Sequence, residues 1–293
     1  MLTKLFLNRL ELGCVSNVLV CVLLATLYVG SLYVWRNTHG RDHPSTIKKR
    51  ILSVFLMSFV SAVFVYVFAD REYFGSDHTY WSLLGLRLSG IIPAVFLPLI
   101  LTMVLFLGPV SLHYSDGIYN KFFDLNLWIY CLTNVVWLRN HVIAPFFEEF
   151  TFRACMLPIL VPCFEYGTTV ILCPIFFGIA HLHLLNEKLA HGAKFKVAVL
   201  QSLFQFAYTT VFGAYSTYLF LRTGHVAAPF IVHAFCNHMG FPDFGQLLNL
   251  EQPKRSILMI IFVTGLVLWI LLLKPMTNPY IYNNSLYWPT ILD

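Results

Sequence analysis

Charge is absent from five long stretches of the chain: residues 13–35, 51–69, 88–112, 197–221 and 256–273 hold no Asp, Glu, Lys or Arg over 23, 19, 25, 25 and 18 positions. Each run is close to the ~20 apolar residues a helix needs to cross a bilayer core. The pattern predicts spans at about 13–35, 51–69, 86–110, 197–221 and 256–273. It is less regular between 125 and 182, where Arg139, Asn140, His141 and then Glu148, Glu149 and Glu165 interrupt shorter apolar pieces. Another short apolar piece, 226–241, carries His233, Asn237 and His238. Counting these pieces as helices gives about eight in an all-α polytopic membrane bundle. No repeat, linker or low-complexity tract divides the chain, so 1–293 is expected to be one transmembrane domain, its chemistry gathered at about 140–240.

Composition agrees with lipid as the solvent. Of 293 residues 58% are hydrophobic and 11% charged, against about a quarter charged in a typical soluble domain. The first run exceeds the ~7–15 residues of a signal-peptide core, and no small-residue cleavage site follows it, so it is expected to stay as an anchor. The seven cysteines (14, 21, 131, 155, 163, 173 and 236) lie in or beside apolar runs without a CxxC pair. They are expected to be small buried hydrophobes rather than a disulfide frame or a zinc site. The net charge of +5 gives no reason to expect a nucleic-acid partner; its main concentration, Arg36, Arg41, Lys48, Lys49 and Arg50, is one loop between two spans. Positive loops favour the cytosol, so this loop is expected there, with the N-terminus lumenal. Loop 70–81, with Asp70, Glu72 and Asp77 against Arg71, fits the opposite side. The tail from Asn278 is rich in Tyr and Trp, as an interfacial belt would be, and holds a sequon at Asn283-Asn284-Ser285.

Ionisable groups at membrane depth are costly and face the bundle interior, and here they fall in three segments that are expected to meet. In the first, successive helical residues point about 100° apart, so Glu148 and Glu149 cannot face one spot. Glu149 and Arg153 are four apart, acid first, and form a favourable same-face pair that neutralises two otherwise expensive charges. Glu148 is left without a local cation. A desolvated carboxylate accepts protons more readily, as a general base must; the alternative is that both acids staple helices. In the second segment His181 and His183 lie nearly opposite, so at most one faces a shared site, and either is equally a hydrogen-bonded core residue. Gly178 and Ala180 permit a close approach there. In the third, His233 and Asn237 share a face and make a pair of oxyanion donors or an interhelical hydrogen-bond pair, while His238 points elsewhere. No HExxH, phosphate loop or GxSxG elbow is present. The inventory fits attack of an activated water on a carbonyl.

Glu148-Glu149-Phe150-Thr151-Phe152-Arg153 matches an EExxxR motif, Phe177-Gly178-Ile179-Ala180-His181 an FxxxH motif, and His233-Ala234-Phe235-Cys236-Asn237 an HxxxN motif. In this order, over about a third of the chain, they resemble the eukaryotic type II CaaX prenyl endopeptidases. The resemblance implies an eight-helix protease of the endoplasmic reticulum membrane. It would cleave after the prenylated cysteine of a CaaX protein and release the last three residues. Glu148 and His181 would activate water, His233 and Asn237 would hold the oxyanion, and Glu149 and Arg153 would support the site, with no cofactor. The substrate is delivered at the lipid boundary, since each buried prenyl CH₂ adds ~0.8 kcal/mol of membrane affinity. Phe146, Phe147, Phe150 and Phe152 would line an opening for that lipid or simply pack. Two other readings stay open: a zinc hydrolase with Glu148, His181 and His233 as ligands, and a transporter or scaffold whose buried charges form a pathway or staple.

Overall fold

The computed structural model describes residues 2–36, 39–75 and 78–288, and among them the regular structure is entirely helical. Asp77 and residues 289–293 of the tail lie outside the described residues. In chain order the main helices are α1 (Leu2–Ser31), α2 (Pro44–Phe68), α3 (Ile91–Leu105), α4 (Leu107–Ser115) and α5 (Leu125–Thr133). A helical run, α6, then passes through Val135–Leu138, Ala144–Glu149 and Leu157–Leu160, and α7 (Tyr166–Ala180) and α8 (Leu184–Ala190) follow. The last four are α9 (Phe195–Thr223), α10 (Ala227–Met239), α11 (Phe244–Asn249) and α12 (Lys254–Met276).

Among the described residues five stretches are long and apolar enough to span a bilayer: Gly13–Ser31, Pro44–Phe68, Tyr166–Ala190, Phe195–Thr223 and Lys254–Met276. The expected span at 86–110 is instead α3 and α4, bent by 74° between them; taken as one broken span, they make a sixth. The break falls where Pro109 cannot donate to the carbonyl four residues back and its ring crowds that carbonyl. The other expected pieces are present as α5, α6 and the 13-residue α10, none of which has that length of unbroken apolar helix. The outer faces of the long helices remain apolar: Leu19, Phe59, Leu200, Val211, Ile260 and Leu271 are all exposed. Such a surface belongs against acyl chains.

The interior is built around α6 and the α7–α9 pair. Phe152, Leu157, Leu160, Phe177 and Phe220 are buried in one cluster with Leu24 and Tyr28 of α1. The expected close approach at Gly178 is present: a Cβ there would clash with Thr210 Oγ1 of α9. Opposite, a Cβ on Gly213 would meet Pro174 Cβ at 2.7 Å and Arg153 Nη2 at 2.8 Å. The two glycines let α7 and α9 pack closely, and Gly213 leaves room for the Arg153 guanidinium.

Two expectations are corrected. Cys14 and Cys163 form a disulfide across 149 residues, with Cα atoms 5.3 Å apart, whereas Cys21, Cys131, Cys155, Cys173 and Cys236 are free and buried as expected. The tail, as far as Trp288, is a surface belt only in part: Tyr280 is exposed, but Tyr282 and Tyr287 are fully buried. The tail's polar backbone is satisfied by Arg87, which donates to the carbonyls of Tyr282 and Asn283 as well as to those of Thr223 and Gly224 at the end of α9. Asn284 donates to the carbonyls of Leu221 and Arg222. Asn283 of the sequon keeps an exposed position and donates to Ser89.

Candidate active site

Twice along α6 the backbone relaxes from α to the wider π pattern, over Arg139–Ile143 and Phe150–Cys155. Such turns re-aim side chains and gather at functional sites. Here they bracket Ala144–Glu149. The short α-helical piece carries Glu148 on one side and Glu149 on another, as the 100° rotation requires.

Glu149 is fully buried and accepts from three donors. Arg153 Nη1 approaches its Oε1 at 3.1 Å, His233 Nδ1 the same oxygen at 2.7 Å, and the Ser216 hydroxyl its Oε2 at 2.5 Å. Its pairing with Arg153 follows the spacing argument, but its work is wider. The carboxylate only accepts, so His233 carries a proton on Nδ1 and turns Nε2 outward. That nitrogen lies 3.7 Å from Glu148 Oε2. Glu148 therefore faces the histidine of a helix 85 residues later, a partner that local spacing could not supply. Its side chain keeps 20% of its surface open.

His181 sits where α7 tightens into a 3₁₀ turn, His181–His183. Its Nδ1 donates to the carbonyl of Phe177 at 2.8 Å, which leaves Nε2 unprotonated in the neutral ring and able to accept. Asn237 Nδ2 donates to the carbonyl of Asn140 at 2.9 Å. That carbonyl lies in the first π turn, so the backbone irregularity of α6 positions Asn237 on α10. Phe177, the first residue of its motif, joins the groups. Its ring lies 4.4 Å from the Arg153 guanidinium carbon and meets His181 and His233 edge-on at 4.6 and 6.0 Å.

Glu148, His181, His233 and Asn237 all line one cavity of about 350 Å³. Arg41, Asn140, His141, Gln205, Tyr208 and Thr209 add to its polar wall. His183 bonds to the Ala180 carbonyl and does not line this cavity, but it does line an adjoining pocket with Glu148 and His181, so the expectation that only one of the two histidines faces a shared site holds for the larger cavity alone; His238 faces a different groove. Ser216 is the site residue that spacing missed. It is one of several hydroxyls in the charge-free run 197–221 and carries no signal of its own. The four phenylalanines of α6 line none of the cavities described. Phe150 and Phe152 are buried, Phe146 packs on Phe230, and Phe147 packs on Phe55. Among the described residues no three His, Cys, Asp or Glu side chains converge in an arrangement that would hold a metal ion.

A second, larger groove of about 820 Å³ lies on the other side of α10 and is strongly apolar. Leu99, Met103, Trp128, Trp137, Ile231 and Phe235 line it, and His141 belongs both to it and to the cavity of the four polar groups.

Residues 131–239 match the family model described as type II CAAX prenyl endopeptidase Rce1-like. The chain is 44% identical over 281 residues to CAAX prenyl protease 2 of Homo sapiens, an alignment covering 93% of this chain and 84% of that protein. It is 39% identical to CAAX prenyl protease 2 of Rattus norvegicus over 93% of this chain and 83% of that one. Identity to the Arabidopsis thaliana protein of the same name is 31%, covering 92% and 91%. No solved structure matches. The chain belongs to the type II CaaX prenyl endopeptidases and is a membrane-embedded peptidase.

Proposed function

We propose that this endopeptidase removes the last three residues of proteins whose CaaX cysteine carries a farnesyl or geranylgeranyl chain, and that it does so with a water activated by Glu148 and His181. The observation that carries the mechanism is the single cavity lined by Glu148, His181, His233 and Asn237. Water bound between the Glu148 carboxylate and His181 Nε2 gives up a proton to Glu148 as its oxygen attacks the carbonyl of the prenylated cysteine. The resulting oxyanion accepts from His233 and Asn237, donors fixed before the reaction and aimed where charge develops. For that role the His233 ring carries protons on both nitrogens, between the carboxylates of Glu149 and Glu148. Collapse of the tetrahedral intermediate breaks the C–N bond, and the proton held by Glu148 passes to the departing amine. Glu149 does not touch substrate. It orients His233 and neutralises Arg153.

The isoprenoid is assigned to the apolar groove beyond α10, which the shared His141 joins to the catalytic cavity. The reaction is proposed to need no metal, with Glu148 and His181 activating the water directly; the chelation arm of the assay below tests this. The proposed location is the endoplasmic reticulum membrane, with the cavity open to the cytosol. Two features support that orientation. The Cys14–Cys163 disulfide, of a kind that persists in oxidising compartments, lies at the end of α1 away from the basic loop 36–50. That loop favours the cytosol, and its Arg41 lines the catalytic cavity.

The test is tripeptide release by detergent-solubilised protein from a farnesylated CaaX peptide and its unprenylated counterpart, each with and without exhaustive chelation. Release from the prenylated peptide alone, undiminished by the chelator, is expected. Loss on chelation that zinc restores would favour the Glu148, His181, His233 ligand set instead. No release from either peptide would end the protease proposal.

A further inference from the structure

An endopeptidase that releases three residues must measure them, and the far end of the released piece is a free α-carboxylate. Three extended residues reach at most ~10–11 Å, so a counting device would be a cation that close to Glu148. The cavity holding Glu148 and His181 continues on its other side into a second lobe of about 140 Å³. Three guanidiniums, Arg41, Arg50 and Arg139, line this lobe, and Arg41, Glu148 and His181 belong to both lobes. The lobe lies on the α1–α2 side of Glu148, away from the apolar groove beyond α10.

The arginines have donors to offer. Arg41 is 44% exposed; its Nη1 donates to Glu187 Oε2 at a long 3.4 Å, and its Nε lies 4.0 Å from Asp42 Oδ1. Arg50 bonds Glu187 through Nη2 at 3.1 Å, while its Nε is buried without a partner. Arg139 holds Asp42 at 2.9 Å. Three cations thus share two acids, Glu187 and Asp42. Planar guanidinium forks suit a carboxylate better than any other side chain does.

We propose that Arg41, seconded by Arg50 and Arg139, receives the α-carboxylate of the residue three beyond the cleaved bond, so that the cluster's distance from Glu148 sets the length of the released peptide. This rests on the cleavage reaction proposed above. Cleavage should therefore depend on a charge that takes no part in the bond broken.

The experiment compares two farnesylated peptides of one sequence, ending in a free carboxylate or a carboxamide, with wild-type protein, Arg41→Gln and Arg41→Lys. Wild type should prefer the acid by about tenfold or more in kcat/KM, the loss expected when a charged hydrogen bond is removed, carried mainly by KM. Arg41→Gln should bring the acid-to-amide ratio to near one, and Arg41→Lys should restore part of it. Because the ratio is taken on one enzyme, a variant that is partly misfolded still reports it. Arg139→Gln, which should lower the ratio more modestly, stands in if Arg41→Gln does not fold. Equal cleavage of acid and amide by wild type, or an acid preference undiminished in Arg41→Gln, would overturn the proposal. Failure of wild type to cleave either prenylated peptide would instead bring down the underlying reaction.

Discussion

Replacing Glu149 with alanine should damage the protein twice, and the two injuries can be separated. The first is to stability. Arg153 is fully buried, and its Nε and Nη2 have no partner, so the Glu149 carboxylate is the acceptor of its remaining hydrogen bond. Breaking a buried ion pair from one side costs about 3–5 kcal/mol, because the surviving charge stays uncompensated. The Phe177 ring at 4.4 Å offsets little of this, as a cation–π contact contributes ~1–2 kcal/mol and is present in both proteins. A loss of that size lowers the melting temperature by on the order of 10 °C. The second injury is to geometry: His233 Nδ1 loses its acceptor, and its Nε2 is no longer aimed past Glu148. Thermal unfolding of the solubilised protein, read beside CaaX cleavage, distinguishes them. Glu149→Ala should be both destabilised and inactive. Glu149→Ala combined with Arg153→Met, which removes the stranded charge, should recover most of the melting temperature and none of the activity. A single variant as stable as wild type, or a double variant that regains cleavage, would refute this account of Glu149.

Other outcomes follow from the same contacts. Ser216→Ala removes the 2.5 Å hydrogen bond to Glu149 and should cost about 1.5–3 kcal/mol, the range for a bond to a charged group; thermal unfolding would show it, with kcat falling more than KM changes. Gly213→Ala places a methyl 2.7 Å from Pro174 Cβ and 2.8 Å from the Arg153 guanidinium, so overpacking of about 1–3 kcal/mol is expected, measured as a lower melting temperature. Alkylation of denatured, unreduced protein should modify five thiols and leave Cys14 and Cys163 protected, with seven modified after reduction, as read by mass spectrometry.

The chain's polar pattern disclosed its chemistry more completely than its architecture. Spacing alone separated Glu148 from Glu149, paired Glu149 with Arg153 and set His238 aside, because each inference needed only helical geometry over a few residues; His183, which lines the smaller pocket beside Glu148 and His181, was not separated so cleanly. What escaped was long-range. His233 lies against both glutamates from 85 and 84 residues away, Ser216 is one hydroxyl among several, and the disulfide partners are 149 residues apart. The π turns of α6 have no sequence period, yet they expose the Asn140 carbonyl that holds Asn237. Pro109 did carry the signal for the break in the span at 86–110, but hydropathy averages over such a residue. Tyr282 and Tyr287 read as interfacial because burial of the tail depends on Arg87, almost two hundred residues earlier, satisfying its carbonyls.

The division of labour between the glutamates is tested most directly by Glu148→Gln, which keeps the side chain's size and hydrogen bonding and removes its ability to take a proton. The variant should unfold within about 2 °C of wild type, since Glu148 is partly open to the cavity and the close hydrogen bond that holds His233 comes from Glu149 at 2.7 Å, against 3.7 Å for Glu148. Its cleavage of a farnesylated CaaX peptide should fall to background, consistent with the ~10²–10⁴-fold contribution of a general base together with loss of the water's placement. A well-folded Glu148→Gln protein that still releases the tripeptide at more than a tenth of the wild-type rate would contradict the account.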